Sequence, residues 1–494
     1  MDRDFVILLC IGIYLLMCIV IGLWAMRQTK SLDDYLMAGR HLGFIVTTVA
    51  IFSSTMSGFG FVGGPGLVYR MGLSSMWMCI TVTIGSCLGI YLTGKRLWLF
   101  STVRKSNSLP DTVRERYNSR TTSCLTAVAI LLGVMGYLGT QMLAMGKVLQ
   151  FLLREPVGEF SLAFCVAVSC AVLVFYCVTG GIIASVYTDL AQGIVMVVAA
   201  VLIFITGIML IPGGLTGMAE TMIKDDPESI SPWGTAGMMT CLCWFFVFGL
   251  GSAGQPHTIT KAMMLKKVTD LRYVLPLTIL GYSLTTLLWI GVGLTMRTLV
   301  LQGDHSALQK PDDAAPEFLL HYTSPILAGI VFAGLFAAIM STADSFLNIG
   351  AAAIVHDIPQ AILGRSLHNE LSWARVGTIA LAIVAASFAL ASGDLVALLG
   401  EFGFSTFAAG LVPTIAIGFN WKRATPMAAN VAIVSSLVVN FGIYTLGKLH
   451  VYSVPHGITG GALALIVSLT LFFGISLCSP QRKLHPDVEA VMDM

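Results

Sequence analysis

The stretch Thr55-Met-Ser-Gly-Phe-Gly-Phe-Val-Gly-Gly-Pro-Gly66 lies inside an apolar run and holds five glycines and one proline in twelve residues. Glycine weakens a helix, and proline removes a backbone hydrogen-bond donor. In hydrocarbon, backbone groups freed in this way are costly unless protein or a water-filled cavity surrounds them. The stretch therefore predicts a membrane helix that is broken inside the protein, beside a cavity.

The composition of the whole chain is that of a membrane protein. Of its 494 residues, 56% are hydrophobic and 11% are charged, whereas roughly 25% of the residues in a soluble domain are charged. The net charge is +2 and no basic stripe runs along the chain, so we expect no nucleic-acid partner. No phosphate-binding loop and no catalytic motif occurs, so we expect no ATP and no enzyme activity.

Apolar runs separated by charged or glycine- and proline-rich breaks predict an all-α integral membrane protein with about thirteen transmembrane helices. The predicted spans are 5–26, 43–66, 74–102, 122–153, 160–179, 182–212, 235–255, 273–297, 320–348, 374–393, 398–418, 425–446 and 456–478. Every loop between them is short, so no soluble domain is expected.

Lysine and arginine predict the orientation, because they collect on the cytoplasmic side of a membrane protein. With the N-terminus outside, 20 of the 28 lysines and arginines, Lys261 among them, fall in inner loops and 7 in outer loops. Only Lys147 lies within a span. No Asn-x-Ser/Thr sequon occurs. We therefore expect a multi-pass protein of a bacterial inner (plasma) membrane, with its N-terminus outside and its C-terminus in the cytoplasm.

A second cluster of helix breakers, Gly249, Gly251, Gly254 and Pro256, interrupts the seventh predicted span. It lies five helices after the first break, and interrupted helices at corresponding positions of two halves mark the binding site of many transporters. We therefore expect a five-plus-five inverted-repeat core with broken helices. The alternative is that these glycines only let helices pack closely.

The repeats define the predicted organisation of a single transmembrane transporter domain, 1–494. Its parts are a leading helix 5–26, a first repeat 43–212, a second repeat 235–418, two additional helices in 425–478 and a cytoplasmic tail 479–494.

Several polar side chains fall at membrane depth. A carboxylate there, such as Asp189, costs ~2.5–3.5 kcal/mol, so Asp189 needs a cation, a proton, hydroxyl donors or an ion pair with Lys147. Ser341 and Thr342 would suit sodium, a hard cation that prefers oxygen ligands, or would bond to their own helix backbone. Asp344 stands closer to the predicted helix end, where it would be a simple surface charge.

Five motifs in this order resemble the sodium:solute symporter family, and the resemblance runs over nearly the whole chain. They are Ser31-Leu-Asp-Asp-Tyr-Leu-Met-Ala-Gly-Arg40, Thr55-Met-Ser-Gly58, Gly180-Gly-Ile-Ile-Ala-Ser-Val-Tyr-Thr-Asp-Leu-Ala-Gln192, Gly254-Gln-Pro-His257 and Ala337-Ala-Ile-Met-Ser-Thr-Ala-Asp-Ser345. Thr55 and Phe59 stand where the proline branch of the family carries aspartate and tryptophan. The run Gly63-Gly-Pro-Gly66 is more similar to the pantothenate and monocarboxylate branches.

The resemblance implies that Na+ is the co-transported ion. Its implied ligands are the backbone carbonyls of Ser53, Met56 and Ala338 and the hydroxyls of Ser341 and Thr342. A second cation site, present in some relatives, would map onto Asp189, Ser341, Asp344 and Ser345. The implied solute-binding residues are Thr55, Ser57, Gly58, Phe59, Ser252 and Gln255.

We therefore expect a sodium-coupled symporter, surrounded by membrane lipid, that imports a small organic solute by alternating access. The solute would be of the amino-acid, pantothenate or monocarboxylate class. The alternatives are a proton-coupled symporter with Asp189 as carrier, and a sodium-independent uniporter or channel of the same fold.

Overall fold

The computed structural model describes residues 3–154, 160–365, 367–392, 396–452, 454–480 and 483–494. Within these ranges the chain is helical without a β-strand, and one isolated bridge joins Leu42 to Leu265. The predicted all-α fold class is confirmed. Arg482, which was counted on the predicted inner side, lies outside the described residues.

The α-helices are numbered here in chain order. They are α1 Arg3–Gln28, α2 Leu32–Met37, α3 Phe44–Thr55, α4 Gly64–Met71, α5 Met76–Gly89, α6 Lys95–Arg104, α7 Leu109–Tyr117, α8 Arg120–Arg154, α9 Leu162–Leu210, α10 Gly214–Asp225, α11 Met238–Trp244, α12 Pro256–Ala262, α13 Leu271–Gln302, α14 Ala314–Tyr322, α15 Pro325–Ala352, α16 Ile358–Leu363, α17 Glu370–Ser392, α18 Val396–Leu411, α19 Pro426–Lys448, α20 Gly460–Cys478 and α21 Pro486–Asp493.

Wider π-helical turns join several of these helices without a loop. They are Phe59–Gly63, Ile90–Gly94, Phe245–Leu250, Ala353–Asp357 and Val412–Ile417. Short 3₁₀ turns cover Ala38–Arg40, Gly72–Ser75, Pro227–Ile230, Ser252–Gly254, Val268–Asp270 and Pro311–Asp313.

By length and composition, ten helices in the described residues could cross a membrane, or eleven if the bent pair Met238–Gly254 and Pro256–Ala262 forms one span. The count of thirteen stays a prediction, since predicted neighbours run on as single helical segments. The clearest case is α9, with 49 residues. At about 1.5 Å per residue it would be about 73 Å long if straight, more than twice the hydrocarbon thickness of a bilayer.

Helix α9 is kinked at Gly181, whose φ of 56° and ψ of −144° are not helical. Tyr176 and Ser185, on either side of this glycine, both donate hydrogen bonds to the Asp344 carboxylate, at 2.9 and 2.7 Å. The kink at Gly181 therefore divides α9 into two halves that both contact α15, and the separate spans 160–179 and 182–212 stay a prediction.

The buried centre of the described residues is α15. Every side chain from Val331 to Asn348 is buried, although this segment carries Ser341, Thr342 and Asp344. It crosses α3 and both halves of α9. Buried polar groups need hydrogen-bond partners. The residues that bond to the polar side chains of α15 therefore indicate where the candidate functional site lies.

The predicted cytoplasmic tail ends in a short helix, α21, that packs on the body of the protein. Val488 and Met492 are buried, and Lys422 pairs with Glu489 and Asp493 at 3.2 and 2.7 Å. Because both lysine and carboxylates are largely exposed, these ion pairs contribute little to stability.

We expect Gly181→Ala to destabilise the protein, because this backbone conformation is nearly restricted to glycine. In addition, a Cβ at this position would lie 2.4 Å from the ring of Tyr35. The strain alone is about 1–3 kcal/mol, so the thermal unfolding midpoint of the detergent-purified protein should fall by several degrees. The control is Gly442→Ala, where a Cβ meets no atom within 4 Å. Equal midpoints for the two variants would contradict the assignment of a strained turn at Gly181.

Candidate ion and solute site

Helix α3 ends at Thr55, inside the protein, and its backbone is extended at Met56, with φ −79° and ψ 108°. The groups freed at this break are capped by other helices. Gln141 on α8 accepts a hydrogen bond from the Gly58 N–H at 2.7 Å, and the Tyr282 hydroxyl on α13 donates to the Thr55 carbonyl at 3.3 Å. The predicted interruption of the 43–66 span is therefore present, and protein groups surround it.

Two glycines of the broken segment are needed because neighbouring side chains approach the backbone closely. A Cβ at Gly64 would lie 2.0 Å from the indole ring of Trp289, and a Cβ at Gly58 would lie 2.7 Å from the Cβ of Ala144. The glycine cluster thus lets α8 and α13 close around the break.

The five groups of the implied sodium site lie together. Ser341 Oγ is 3.0 Å from the carbonyl of Ser53 and 3.1 Å from that of Ala338. Thr342 Oγ1 is 3.3 Å from the carbonyl of Met56 and 3.2 Å from that of Ala338.

A further carbonyl, that of Ser54, is 2.7 Å from Thr342 Oγ1. The hydroxyls of α15 thus bond both to their own helix, as the alternative reading expects, and across to the break in α3. All these residues are fully buried or nearly so. A cluster of neutral oxygens is the donor set that a hard cation takes. The arrangement fits sodium, and sodium binding at these residues stays a prediction.

The second predicted break is also present. The segments Met238–Gly254 and Pro256–Ala262 meet at an angle of 43°. Gln255 between them has an extended backbone, with ψ 104°. The break directs α12 toward α3 and α15, and so carries residues after Pro256 into the protein centre.

One of these residues is Lys261, and its place differs from the predicted inner loop. Its side chain is 1% exposed, and Nζ lies 2.7 Å from Oδ2 of Asp189, which is fully buried. Nζ also donates to the carbonyl of Ala50 at 3.0 Å, to Ser345 Oγ at 3.0 Å and to Ser54 Oγ. The assignment of Lys261 to a loop was wrong because the predicted span ended at residue 255, before the chain turned inward.

The suggested pairing of Asp189 with Lys147 was wrong as well. Lys147 pairs with Asp312 instead, at 2.9 Å. Nor is Asp344 a helix-end surface charge, because it is fully buried and α15 continues beyond it to Ala352. Its carboxylate accepts hydrogen bonds from three hydroxyls, those of Tyr176, Ser185 and Ser345.

A cavity adjoins the break at Thr55 and Met56. The residues that line it are Thr55, Met56, Phe59, Gly60, Met78, Cys79, Val82, Tyr137, Phe248, Tyr282, Trp289 and Phe404. Its free volume is about 20 Å³, little more than one water molecule needs. The ring of Phe59 stacks on Phe248 at 5.8 Å and meets Trp289 edge-on at 5.7 Å. A solute would therefore have to move these rings apart.

Of the six predicted solute-binding residues, Thr55 and Phe59 line this cavity. The other four lie at the two breaks. Ser57 shares a hydrogen bond with Tyr137 at 3.1 Å, and Gly58 is capped by Gln141. Ser252 Oγ donates to the Phe248 carbonyl, and Gln255 Nε2 is 3.5 Å from the Gly251 carbonyl. Solute binding by any of the six stays a prediction.

Sequence reasoning missed four side chains that surround the break. Tyr137 and Gln141 are four residues apart in α8, and Tyr282 and Trp289 are seven apart in α13. Each spacing places a pair on one helix face. A search for polar and aromatic pairs at these spacings would have found both faces, though not the contacts they make.

An all-helical membrane protein with two interrupted helices around a buried oxygen cluster has the architecture of a secondary transporter. The model of the sodium:solute symporter family matches residues 35–437, which is most of the chain. This protein belongs to the sodium:solute symporter family, as the motifs indicated. It is therefore a multi-pass membrane transporter of a family of sodium-coupled symporters.

Characterised relatives match nearly end to end. The osmoregulated proline transporter OpuE of Bacillus subtilis (strain 168) is 26% identical over 477 residues, 94% of each chain. The sodium/proline symporter of Staphylococcus aureus (strain JH9) is 28% identical over 453 residues, 89% of this chain and 86% of that one.

Two solved structures share the fold. A Na+-coupled sialic acid symporter, in a substrate-bound outward-open state, superposes with a TM-score of 0.79 at 16% identity, over 98% of this chain and 100% of that one. A nucleobase-cation-symport-1 family transporter superposes with a TM-score of 0.56 at 12% identity, over 93% of this chain and 98% of that one.

We expect Ser341→Ala and Thr342→Ala each to raise the sodium concentration that gives half-maximal uptake by about tenfold or more. Each substitution removes one oxygen from the cluster, and about 1.4 kcal/mol corresponds to tenfold in affinity. Uptake measured against sodium concentration checks this. The matched control is Ser387→Ala, since Ser387 is exposed and bonds only its own helix carbonyl, that of Ile383. An unchanged sodium requirement in both site variants would remove Ser341 and Thr342 from the sodium site.

Proposed function

We propose that this protein is a sodium-driven symporter that imports a small organic solute by alternating access. Sodium would bind the carbonyls of Ser53, Met56 and Ala338 and the hydroxyls of Ser341 and Thr342. The observation that carries the proposal is that the segment of Thr55 and Met56 contributes both to the oxygen cluster and to the wall of the cavity. Met56 offers its carbonyl to the oxygen cluster, and Thr55 and Met56 line the neighbouring cavity.

This shared segment supplies a physical route for coupling. Sodium would hold the broken end of α3 against α15, and the position of that end shapes the wall of the solute cavity. Each ligand then favours the same conformation of the segment, which is what coupling between two binding sites requires. A sodium ion that stabilised no particular position of the break would bind without driving the solute.

The cavity favours a compact solute with an apolar body and one carboxylate. None of its lining residues carries a charge, and six of them are aromatic. An isolated ammonium group would find no carboxylate there. A carboxylate would find a donor, since the Trp289 Nε1–H is buried without a partner, whereas the Tyr282 hydroxyl already donates to the Thr55 carbonyl. Monocarboxylates fit this description best, and a zwitterion of the proline type, whose ammonium would rely on hydroxyl and carbonyl oxygens, comes second.

The energy available supports such transport. One sodium ion that moves down about 100 mV supplies about 2.3 kcal/mol, enough for roughly fifty-fold accumulation of a neutral solute. A monocarboxylate carried one-to-one would cancel the electrical part, so its accumulation would depend on the chemical gradient of sodium. The dependence of accumulation on membrane potential therefore distinguishes a monocarboxylate from a zwitterion of the proline type.

The organisation predicted from the sequence forms part of this proposal. The parts 43–212 and 235–418 would be the inverted repeats, each with one of the two breaks, inside the single domain 1–494. The N-terminus would lie outside the cell and the C-terminus in the cytoplasm of a bacterium.

Uptake into proteoliposomes tests the function. Labelled acetate, pyruvate, pantothenate and proline would each be offered under an inward sodium gradient, and under a potassium gradient of equal size as the control. We expect accumulation of one of these solutes only with sodium. Uptake that an inward proton gradient drives in the absence of sodium would instead support the proton-coupled alternative. Equilibration and counterflow without any ion requirement would support the uniporter or channel.

The role of Trp289 gives a separate prediction. Trp289→Phe keeps an aromatic ring in the cavity but removes the unpaired Nε1–H, and a hydrogen bond to a charged acceptor contributes about 1.5–3 kcal/mol. We expect the half-saturating solute concentration to rise at least tenfold, while the half-saturating sodium concentration changes less than threefold. The control is Trp373→Phe, at a side chain that is 54% exposed. Equal solute affinity in both variants would exclude a hydrogen bond from Trp289.

A further inference from the structure

The ammonium group of Lys261 sits where a metal cation would be expected. Four oxygens approach Nζ: Asp189 Oδ2 at 2.7 Å, the Ala50 carbonyl and Ser345 Oγ at 3.0 Å each, and Ser54 Oγ. One carboxylate, one carbonyl and two hydroxyls form the kind of donor set that a hard cation takes. Here the positive charge is supplied by a side chain.

Two of these donors, Asp189 and Ser345, belong to the second cation site that the sequence suggested. The other two members of that site are close by. The Ser345 hydroxyl lies 3.0 Å from the Ser341 carbonyl and 3.2 Å from Asp344 Oδ1. The lysine therefore occupies this cluster itself rather than a neighbouring one.

The charges of the buried centre are consistent with a single mobile cation. Asp189 and Asp344 each carry a carboxylate, and Lys261 is the one basic side chain bonded to either of them among the described residues. With all three ionised, the cluster has a net charge of −1. One sodium ion at the Ser341 and Thr342 cluster would bring the centre to neutrality, which the cost of buried charge favours.

We propose that the Lys261 ammonium is a tethered cation that fills the second cation site, so that the protein binds one sodium ion instead of two. The inference rests on the proposed sodium symport. A tethered charge cannot leave with the solute, so it contributes structure to the site but no driving force. The break at Gln255 makes this possible, because it directs α12 inward and brings Lys261 to α3 and α15.

Removing the lysine should open the site to sodium. In Lys261→Met, the Asp189 carboxylate remains among the oxygens of Ala50, Ser54 and Ser345. A cavity borders Lys261 and Ser345 on the side of Ser108 and Asp357, so an ion that enters this cavity meets the site directly. We expect the variant to bind a second sodium ion there.

The experiment counts sodium ions on purified full-length protein with ²²Na⁺ in equilibrium dialysis, which needs no knowledge of the solute. We expect one ion per chain for the wild type and two for Lys261→Met. Lys261→Arg keeps the positive charge and should bind one. The double variant Asp189→Asn, Lys261→Met removes both charges of the pair and should return to one. Lys266→Met, at an exposed lysine five residues further on, is the matched control and should also bind one.

The outcomes separate this inference from the proposed function. Two ions on the wild type would overturn the inference and leave sodium symport intact, and so would one ion on a monodisperse Lys261→Met protein. No ion on the wild type would overturn sodium symport at the Ser341 and Thr342 cluster, whereas a gain of one ion in Lys261→Met would still support the tethered cation. If Lys261→Met does not yield monodisperse protein, the wild-type count remains decisive, because two ions contradict the inference and one supports it.

Discussion

The constraint on which the structure depends is the exclusion of water from a place where the backbone of a membrane helix is broken. At the end of α3, carbonyl and amide groups lose their partners in their own helix, and because these residues are buried, other protein groups must replace those partners. Side chains of three other helices do so: Thr342 from α15, Gln141 from α8 and Tyr282 from α13. The break therefore ties α3 to these helices, and any movement of one of them changes the oxygen cluster.

The buried charged groups also need partners within the protein. Asp189 alone, or Lys261 alone, would be expensive at this depth. As a pair they also collect the hydroxyls of Ser54 and Ser345 and the carbonyl of Ala50, so that one ammonium group bridges α12, α3, α9 and α15. A buried ion pair of this kind is weak evidence for high stability. Its clear effect is to fix the positions of α3, α9, α12 and α15 relative to one another, since all four helices contribute a group to the same cluster.

The ion cluster and the aromatic cavity lie on adjacent sides of the same few residues. Met56 belongs to both, Thr55 lines the cavity, and the rings of Phe59, Phe248 and Trp289 close the cavity. In this state the cavity has almost no free volume, so a solute could enter it only if the rings moved apart. In a transporter closed in this way, a small displacement at the break is enough to open or close the cavity. The reason is that the tightly packed helices around it can adopt only a few arrangements.

The sequence alone determined the membrane class, the family and the two breaks, and it singled out Ser341 and Thr342, whose hydroxyls lie at the first break. These properties are local: hydropathy, glycine and proline clusters and short motifs are read within a few residues of the chain. It could not determine that Lys261 turns inward to meet Asp189 across 72 positions, or that Gln141, Tyr282 and Trp289 surround the break. Those contacts join residues far apart in the chain, and only the tertiary structure decides them, because many pairings of helices would bury the same apolar surface. The aromatic cavity beside the break also depends on the tertiary structure, since side chains from several helices set its shape.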